Sequence, residues 1–267
     1  CVPPRPPRRR ARGFPTATQR LVDHHYGRIE IDLGRCDRVF GLHNWPDLPA
    51  GTIATRPGPI MGAADKFEIT LEGRGGHAAI PQDTPDAILA SASLVTQLNS
   101  IVARRIAPTA SAVLSITQIH GGHTHNVIPA EVKVSGTVRT FDPNVQDVIE
   151  DAIRSIAAGV ALANRVTATV DYQRYYPATI NDAEAAQEAL DAAATVGTGQ
   201  LAPEPAFTSE DFAFMLQACK GAYIWLGQAQ GQGSVPLHNP HYDFNDDVLG
   251  IGIRLHVALA ERHLAKG

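Results

Sequence analysis

The clearest signal in this chain is the spacing of its apolar positions. Lys66-Phe67-Glu68-Ile69-Thr70-Leu71-Glu72 alternates polar and apolar residues with period two, which predicts a half-buried strand. Gly73-Arg74-Gly75-Gly76-His77 breaks it. Thr84-Pro85 then offers a helix cap followed by proline at the first helical position. Ile88, Ala92, Val95, Leu98 and Val102 recur at helical spacing as far as Arg105. Strands are expected over Ala112–Ile119 and Glu131–Arg139. Asp142-Pro143 repeats the cap, and Val145, Ile149, Ala152, Ile156 and Val160 form a second helical stripe. Val166–Tyr172 completes the series as a strand. The order β-α-β-β-α-β predicts a ferredoxin-like α+β sandwich over residues 62–175, with two helices on one face of a four-stranded antiparallel sheet.

The flanking patterns are shorter. Asp37–Leu42 reads as a buried strand ending at His43, and strand ends are where sheet-based enzymes place ligands. After Pro177 come an alanine-rich helix, about Ala183–Ala194, and a short helix opening at Ser209-Glu210-Asp211. The latter has a serine cap and two acids in its first turn. A buried strand, Ala222–Gly227, a glycine-rich loop and a last helix, about Asp246–Leu264, follow. Residues 1–16 hold five prolines and almost nothing to bury, so the tail 1–20 is expected to be disordered. Three parts result: the tail, an α/β domain assembled from 21–61 and 176–267, and an inserted domain, 62–175.

Composition changes this picture little. With 267 residues, 44% of them hydrophobic, there is room for one large domain or two ordinary ones. No apolar run is long enough to span a membrane, and the N-terminus lacks the apolar stretch of a secretory signal. Three cysteines, Cys1, Cys36 and Cys219, form no Cys-x-x-Cys pair. An odd, unpatterned set argues against a disulfide framework or zinc ribbon and points to the cytoplasm. The net charge is −4, yet residues 1–20 carry six arginines and no acid, so the body is more acidic than the total. That balance excludes nucleic acid as the main partner, since such binding rests on neutralised phosphates.

Two segments draw attention for their chemistry: Gly41-Leu42-His43-Asn44-Trp45-Pro46 and Leu237-His238-Asn239-Pro240-His241-Tyr242-Asp243-Phe244. Each sets a histidine between leucine and asparagine, outside any helical stripe. Both histidines are expected at one metal centre assembled by the fold. Further motifs are Gly73-Arg74-Gly75-Gly76-His77-Ala78-Ala79-Ile80-Pro81, Asn126-Val127-Ile128-Pro129, Gly136-Thr137-Val138-Arg139-Thr140-Phe141 and Ser209-Glu210-Asp211-Phe212-Ala213. In this order and spacing the set resembles the co-catalytic metallopeptidase family of aminoacylases, hippurate hydrolases and indole-acetyl-amino-acid hydrolases. The likeness runs from about Cys36 to the C-terminus.

The resemblance implies an α/β catalytic domain for two divalent metals and an inserted ferredoxin-like lid through which many members form homodimers. By motif position, His43 and His238 correspond to metal ligands; imidazole suits zinc, manganese, nickel or cobalt. His77 corresponds to a lid histidine that helps hold the oxyanion, in some members from the partner subunit. Asn126 and Arg139 correspond to lid residues that contact the substrate, an N-acyl amino acid, or its carboxylate. Glu210 and Asp211 either cap their helix or line the cleft. His120, His123 and His125 fall in a lid loop and are read as non-metal residues.

One departure is large. Family members carry a Cys-Gly-His-Asp-Gly-His run and a Pro-Ala-Glu-Glu run before the first His-Asn motif, and neither exists here. The double-glutamate position falls on Thr18-Gln19, whose hydroxyl and amide cannot act as a general base and an anionic ligand. Asp23, His24, His25, Glu30 and Asp32 match nothing in the family and are read as surface. The expectation is therefore a metal-dependent amidohydrolase impaired in this chain, with the arginine–proline start suggesting a truncated or frame-shifted product. The alternative is a non-catalytic paralogue acting as a dimerising or ligand-binding module.

Overall fold

The computed structural model describes residues 33, 34, 36–229 and 235–265. Expectations for the tail 1–20, for Thr18-Gln19 and for Asp23, His24, His25, Glu30 and Asp32 lie outside the described residues. In chain order the structure begins with β1 (Val39–Pro49), β2 (Thr52–Thr55) and β3 (Gly58–Met61). Next come β4 (Ala63–Glu72), β5 (Gly76–His77), α1 (Ala87–Leu98), α2 (Ser100–Arg105), β6 (Ala112–Gly121), β7 (Val127–Ile128), β8 (Glu131–Thr140), α3 (Pro143–Asn164) and β9 (Thr167–Tyr176). The remainder is β10 (Thr179–Asn181), α4 (Ala183–Val196), β11 (Thr198–Leu201), α5 (Phe212–Ala218), β12 (Gly221–Ala229) and α6 (Leu249–Leu264).

Strands β6-β8-β4-β9, in that spatial order, form a four-stranded sheet whose neighbours are all antiparallel. Along β4 the period-two pattern does its work: Phe67, Ile69 and Leu71 are buried, while Lys66, Glu68 and Glu72 are exposed. The buried set packs with Val132, Val134 and Val138 of β8 and with the inner faces of α1 and α3. Each such side chain contributes about 1.5–3 kcal/mol by leaving water.

The stripe expected on α1 is displaced. Its buried face is Ala87, Ala90, Ser91, Leu94 and Leu98, while Ile88 is 44% exposed. Small alanine and serine side chains let this face lie close to the sheet, which outweighs the larger apolar residues beside it. The cap is also different: Asp86 accepts from the backbone N–H groups of Ile88 and Leu89 at 2.8 and 3.0 Å, and Thr84 ends a preceding 3-10 turn. For α3 the expected features hold. Asp142 accepts from the Asn144 N–H at 2.8 Å, and Ile149, Ala152, Ile156 and Val160 are buried.

The second four-stranded sheet has the order β1-β12-β2-β11. β1 and β12 run parallel, β12 and β2 antiparallel, β2 and β11 parallel. α4 and α6 cover one face over Ile53, Ile224 and Leu226. α5 lies on the other, where Phe212 packs with Tyr223, Trp225 and Ile60. β1 is longer than expected and carries His43 within the ladder, opposite Trp225, because β12 continues alongside it. Ser209 does not cap α5, which starts at Phe212; instead Glu210 Oε1 accepts from the Asp211 N–H at 3.0 Å. Among the described residues no helix is long and apolar enough to cross a membrane.

The chain passes between the two sheets twice, side by side. β3 pairs with β10 and β4 with β9, both antiparallel, so the crossing is a two-stranded ribbon. Just inside it, Asp65 is 1% exposed. Its carboxylate accepts from Gln146 Nε2 at 2.8 and 2.9 Å and from the Tyr172 hydroxyl at 2.6 Å. Burial still holds its pKa above the usual carboxylate range, although these hydrogen bonds oppose the shift. The knot ties β4, β9 and the first turn of α3 together. Asp65→Ala should therefore destabilise the chain by about 2–4 kcal/mol, since Gln146 and Tyr172 lose a buried acceptor. Urea unfolding would measure this, and a loss below about 0.5 kcal/mol would mean the knot contributes little.

Candidate metal and substrate site

The site is built on the ladder between β1 and β12. Its register runs from Val39 opposite Gly221 to Trp45 opposite Gly227. Gly221 is required there: a Cβ would stand 1.9 Å from the carbonyl oxygen of Val39. Phe40 and Leu42 pack on the α4–α6 side, while Val39 and Trp45 pack on the α5 side. His43 belongs to the α5 side, with its ring 6.2 Å from that of Tyr223 and 6.1 Å from that of Trp45.

His43 is half-buried, and its Nδ1 lies 2.6 Å from the carbonyl oxygen of Asn44. A carbonyl only accepts, so Nδ1 carries the proton and Nε2 keeps its lone pair free, the state of a metal-ligating imidazole. Glu210 lies within electrostatic reach of it, and Asp211 is Glu210's neighbour in the chain. Tyr223 donates its hydroxyl to Glu210 Oε2 at 2.6 Å. Burial alone would raise the Glu210 pKa, but hydrogen bonds from Asp211 and Tyr223 hold it below the ordinary carboxylate value. Asp211 moves the other way: burial first, then the hydrogen bond and charge of Glu210, push it up to about 6. Burial and the same carboxylate raise the Tyr223 hydroxyl. Glu210 thus lies at the site and also holds the start of α5. Tyr223 went unnoticed in the sequence, although a tyrosine inside an otherwise apolar strand signals a hydroxyl with a partner to find.

The second His-Asn segment returns to the first. Asn44 donates through Nδ2 to the hydroxyl of Tyr242, four residues beyond His238. His238 itself is exposed, in a turn at φ +65°, a left-handed conformation that costs a non-glycine residue roughly 1–2 kcal/mol. In a separate two-stranded sheet, β5 and β7 pair His77 with Val127, and the Ala78 N–H donates to the Asn126 carbonyl at 3.0 Å. His77 and Asn126 are therefore neighbours, both exposed. The Ala79 N–H donates to His77 Nδ1 at 3.1 Å, so the ring proton sits on Nε2, which is free to donate. Arg139 lies on β8 and donates through Nη1 to Thr137 Oγ1 at 2.5 Å and to the Val138 carbonyl at 3.1 Å. His120, His123 and His125 are exposed at the end of β6 and in the following loop.

Comparison with known proteins agrees with this architecture. The model of peptidase family M20/M25/M40 matches residues 16–262. The chain belongs to that family. The match starts ahead of Cys36, from about which the resemblance was expected to run. N-acetylcysteine deacetylase of Bacillus subtilis is 35% identical over 228 residues, 85% of this chain and 59% of that protein. N-acetyldiaminopimelate deacetylase of Shouchella clausii is 35% identical over 223 residues, 83% of this chain and 59% of the relative. Among solved structures, Bacillus subtilis YxeP, described as a dinuclear metal-binding peptidase of the M20 family, superposes with a TM-score of 0.70 at 30% identity. The match covers 84% of this chain and 56% of YxeP. The chain thus spans a little under three fifths of the length of these relatives.

A metal needs three or more donors in one place. Among the described residues no group of three or more histidine, cysteine, aspartate or glutamate side chains is arranged to hold an ion. His43 and His238 would supply at most two imidazoles, fewer than a closed site needs, so among the described residues the donor set is incomplete. The Glu210–Asp211 pair carries a testable consequence. The folded pKa of Asp211, about 6, lies above its unfolded value, so its contribution to stability is complete below the unfolded pKa and is lost as pH rises through about 6. Asp211→Asn removes that loss. Its Tm should match wild type near about pH 4 and exceed it by about pH 8. Parallel melting curves across that range would refute the assignment.

Proposed function

We propose that this chain functions as a metal-dependent amidohydrolase that cleaves the amide of N-acyl amino acids, including hippurate-like ones. The observation that carries the reading is the pair of opposite histidine states. His43 presents a free nitrogen lone pair, as a metal ligand must, and His77 presents an N–H, as an oxyanion donor must. Relatives named as deacetylases of N-acetylcysteine and N-acetyldiaminopimelate support an acylated amino acid as substrate.

In this proposal residues 62–175 are a ferredoxin-like lid over a catalytic domain made from 21–61 and 176–267. The strand order β6-β8-β4-β9 supports the sandwich. The lid also serves as the homodimer contact, for which the free edge of β6, with Ile119 52% exposed, offers unpaired backbone. His77 and Asn126, side by side, hold the acyl carbonyl, and Arg139 pairs with the substrate carboxylate. His43 and His238 each give one imidazole to the metal centre, while Glu210 and Tyr223 set the charge and packing around His43. A bound divalent ion, zinc, manganese, nickel or cobalt, would supply the activated water. With only two imidazoles assigned, the activity of this chain alone is impaired.

Two measurements test this. The purified chain, incubated with each of the four metals, should retain less than one ion per chain and release no amine from N-acetyl-L-cysteine or hippurate above background; stoichiometric metal with steady turnover would overturn the impairment. Calorimetry should still detect N-acetyl amino acid binding, weakened about tenfold or more by Arg139→Met. Equal affinity in that variant would remove Arg139 from the substrate site.

A further inference from the structure

Outside the site the structure places two thiols together. Cys36 lies three residues before β1 and Cys219 follows the last residue of α5, two before β12. Their Sγ atoms are 3.0 Å apart, across a sequence separation of 183 residues. A disulfide bond is about 2.05 Å long, so joining them needs a movement of roughly 1 Å. Neither partner is on a loose arm. The Cys219 thiol also lies 3.2 Å from the Cys36 carbonyl, and the Val39 N–H donates to the Lys220 carbonyl at 3.0 Å. Arg38 is clamped to α4 by Glu184 at 3.2 Å and Glu188 at 3.4 Å.

We propose that Cys36 and Cys219 form a reversible intramolecular disulfide, with a small-molecule disulfide such as oxidised glutathione as the oxidant. Cys36 is the entry point because it is the more accessible of the two, Cys219 being 7% exposed. The Cys36 thiolate attacks one sulfur of the small disulfide, whose S–S bond breaks and releases one thiol that takes up a proton. Cys219 then gives up its proton and attacks the Cys36 sulfur, expelling the second small thiol. Two protein thiols are oxidised to one S–S bond, and one small disulfide is reduced to two thiols. Burial, then the neighbouring Cys36, raises the Cys219 pKa to about 11, which makes it a slow attacking group until Cys36 carries a good leaving thiol next to it. The cross-link lies at the start of the β1–β12 ladder, which His43 reaches several residues later, so it staples the foot of the site without touching its chemistry.

The test uses the whole chain, oxidised glutathione at about pH 8, an acid and N-ethylmaleimide quench, and mass spectrometry. The expected product has lost two hydrogens and yields a cross-linked peptide pair containing Cys36 and Cys219. Its Tm rises by about 5 °C or more and returns on reduction. Cys219→Ser should instead stop at a glutathione adduct on Cys36, with no gain in Tm. A lasting adduct on Cys36 of the wild type, a cross-link to Cys1, or two thiols that remain open to N-ethylmaleimide would each overturn the proposal.

Discussion

The whole site hangs on one backbone ladder, the parallel pairing of Val39–Trp45 with Gly221–Gly227. These strands come from opposite ends of the described chain and are covered on both faces, by α4 and α6 on one side and α5 on the other. Such pairing has no turn to hold it in register, so packing and backbone clearance must do so. The glycines provide the clearance. A Cβ at Gly221 or Gly227 would stand 1.9 or 2.1 Å from a carbonyl oxygen of β1 or its end, and one at Gly41 would meet the Tyr223 ring at 2.9 Å. With the register set, Tyr223 stands beside His43, and its hydroxyl in turn positions Glu210. A side chain at any of these three positions would disturb the ladder that keeps His43, Tyr223 and Glu210 in place.

The same ladder explains how charge is tolerated near the core. Glu210 and Asp211 are adjacent carboxylates that cannot both ionise at no cost, and the structure separates their behaviour. Glu210 takes the hydrogen bonds and stays charged, while Asp211 retains its proton to about pH 6. Asp65 represents a different solution, a single buried carboxylate surrounded by neutral donors. One pair tunes the surroundings of a histidine, and the other group holds a ribbon between two sheets. Their burial and partners, more than their residue types, distinguish the roles.

Much of the architecture could be read in the residues. Periodicity located β4, β6, β8, β9 and α3 because each buries one face against a continuous core, and Asp142-Pro143 marked the start of α3. On α1 the same reasoning placed the stripe off-centre: Leu98 is buried and Val95 packs against the core, but Ile88 is exposed where the smaller Ala87 is buried. The short strands β2, β3, β10 and β11 passed unseen. They span only three or four residues each, too few to display a period. His43 was recognised from its motif, but its place inside a strand depended on a partner more than 180 positions away.

What the residues determined by themselves were the properties carried by neighbours in the chain: the alternation of strands, the caps of helices, and the six motifs that mark the family. Only the tertiary structure decided which distant groups meet. It set Asn44 against Tyr242, Tyr223 against Glu210, and Cys36 against Cys219. It also assigned the ring proton of His43 to Nδ1 and that of His77 to Nε2, through the hydrogen bonds each accepts or gives. Local patterns follow from steric and solvent preferences that act over a few residues. Contacts across the chain depend on register, twist and packing summed over the whole fold, which no short stretch of sequence contains.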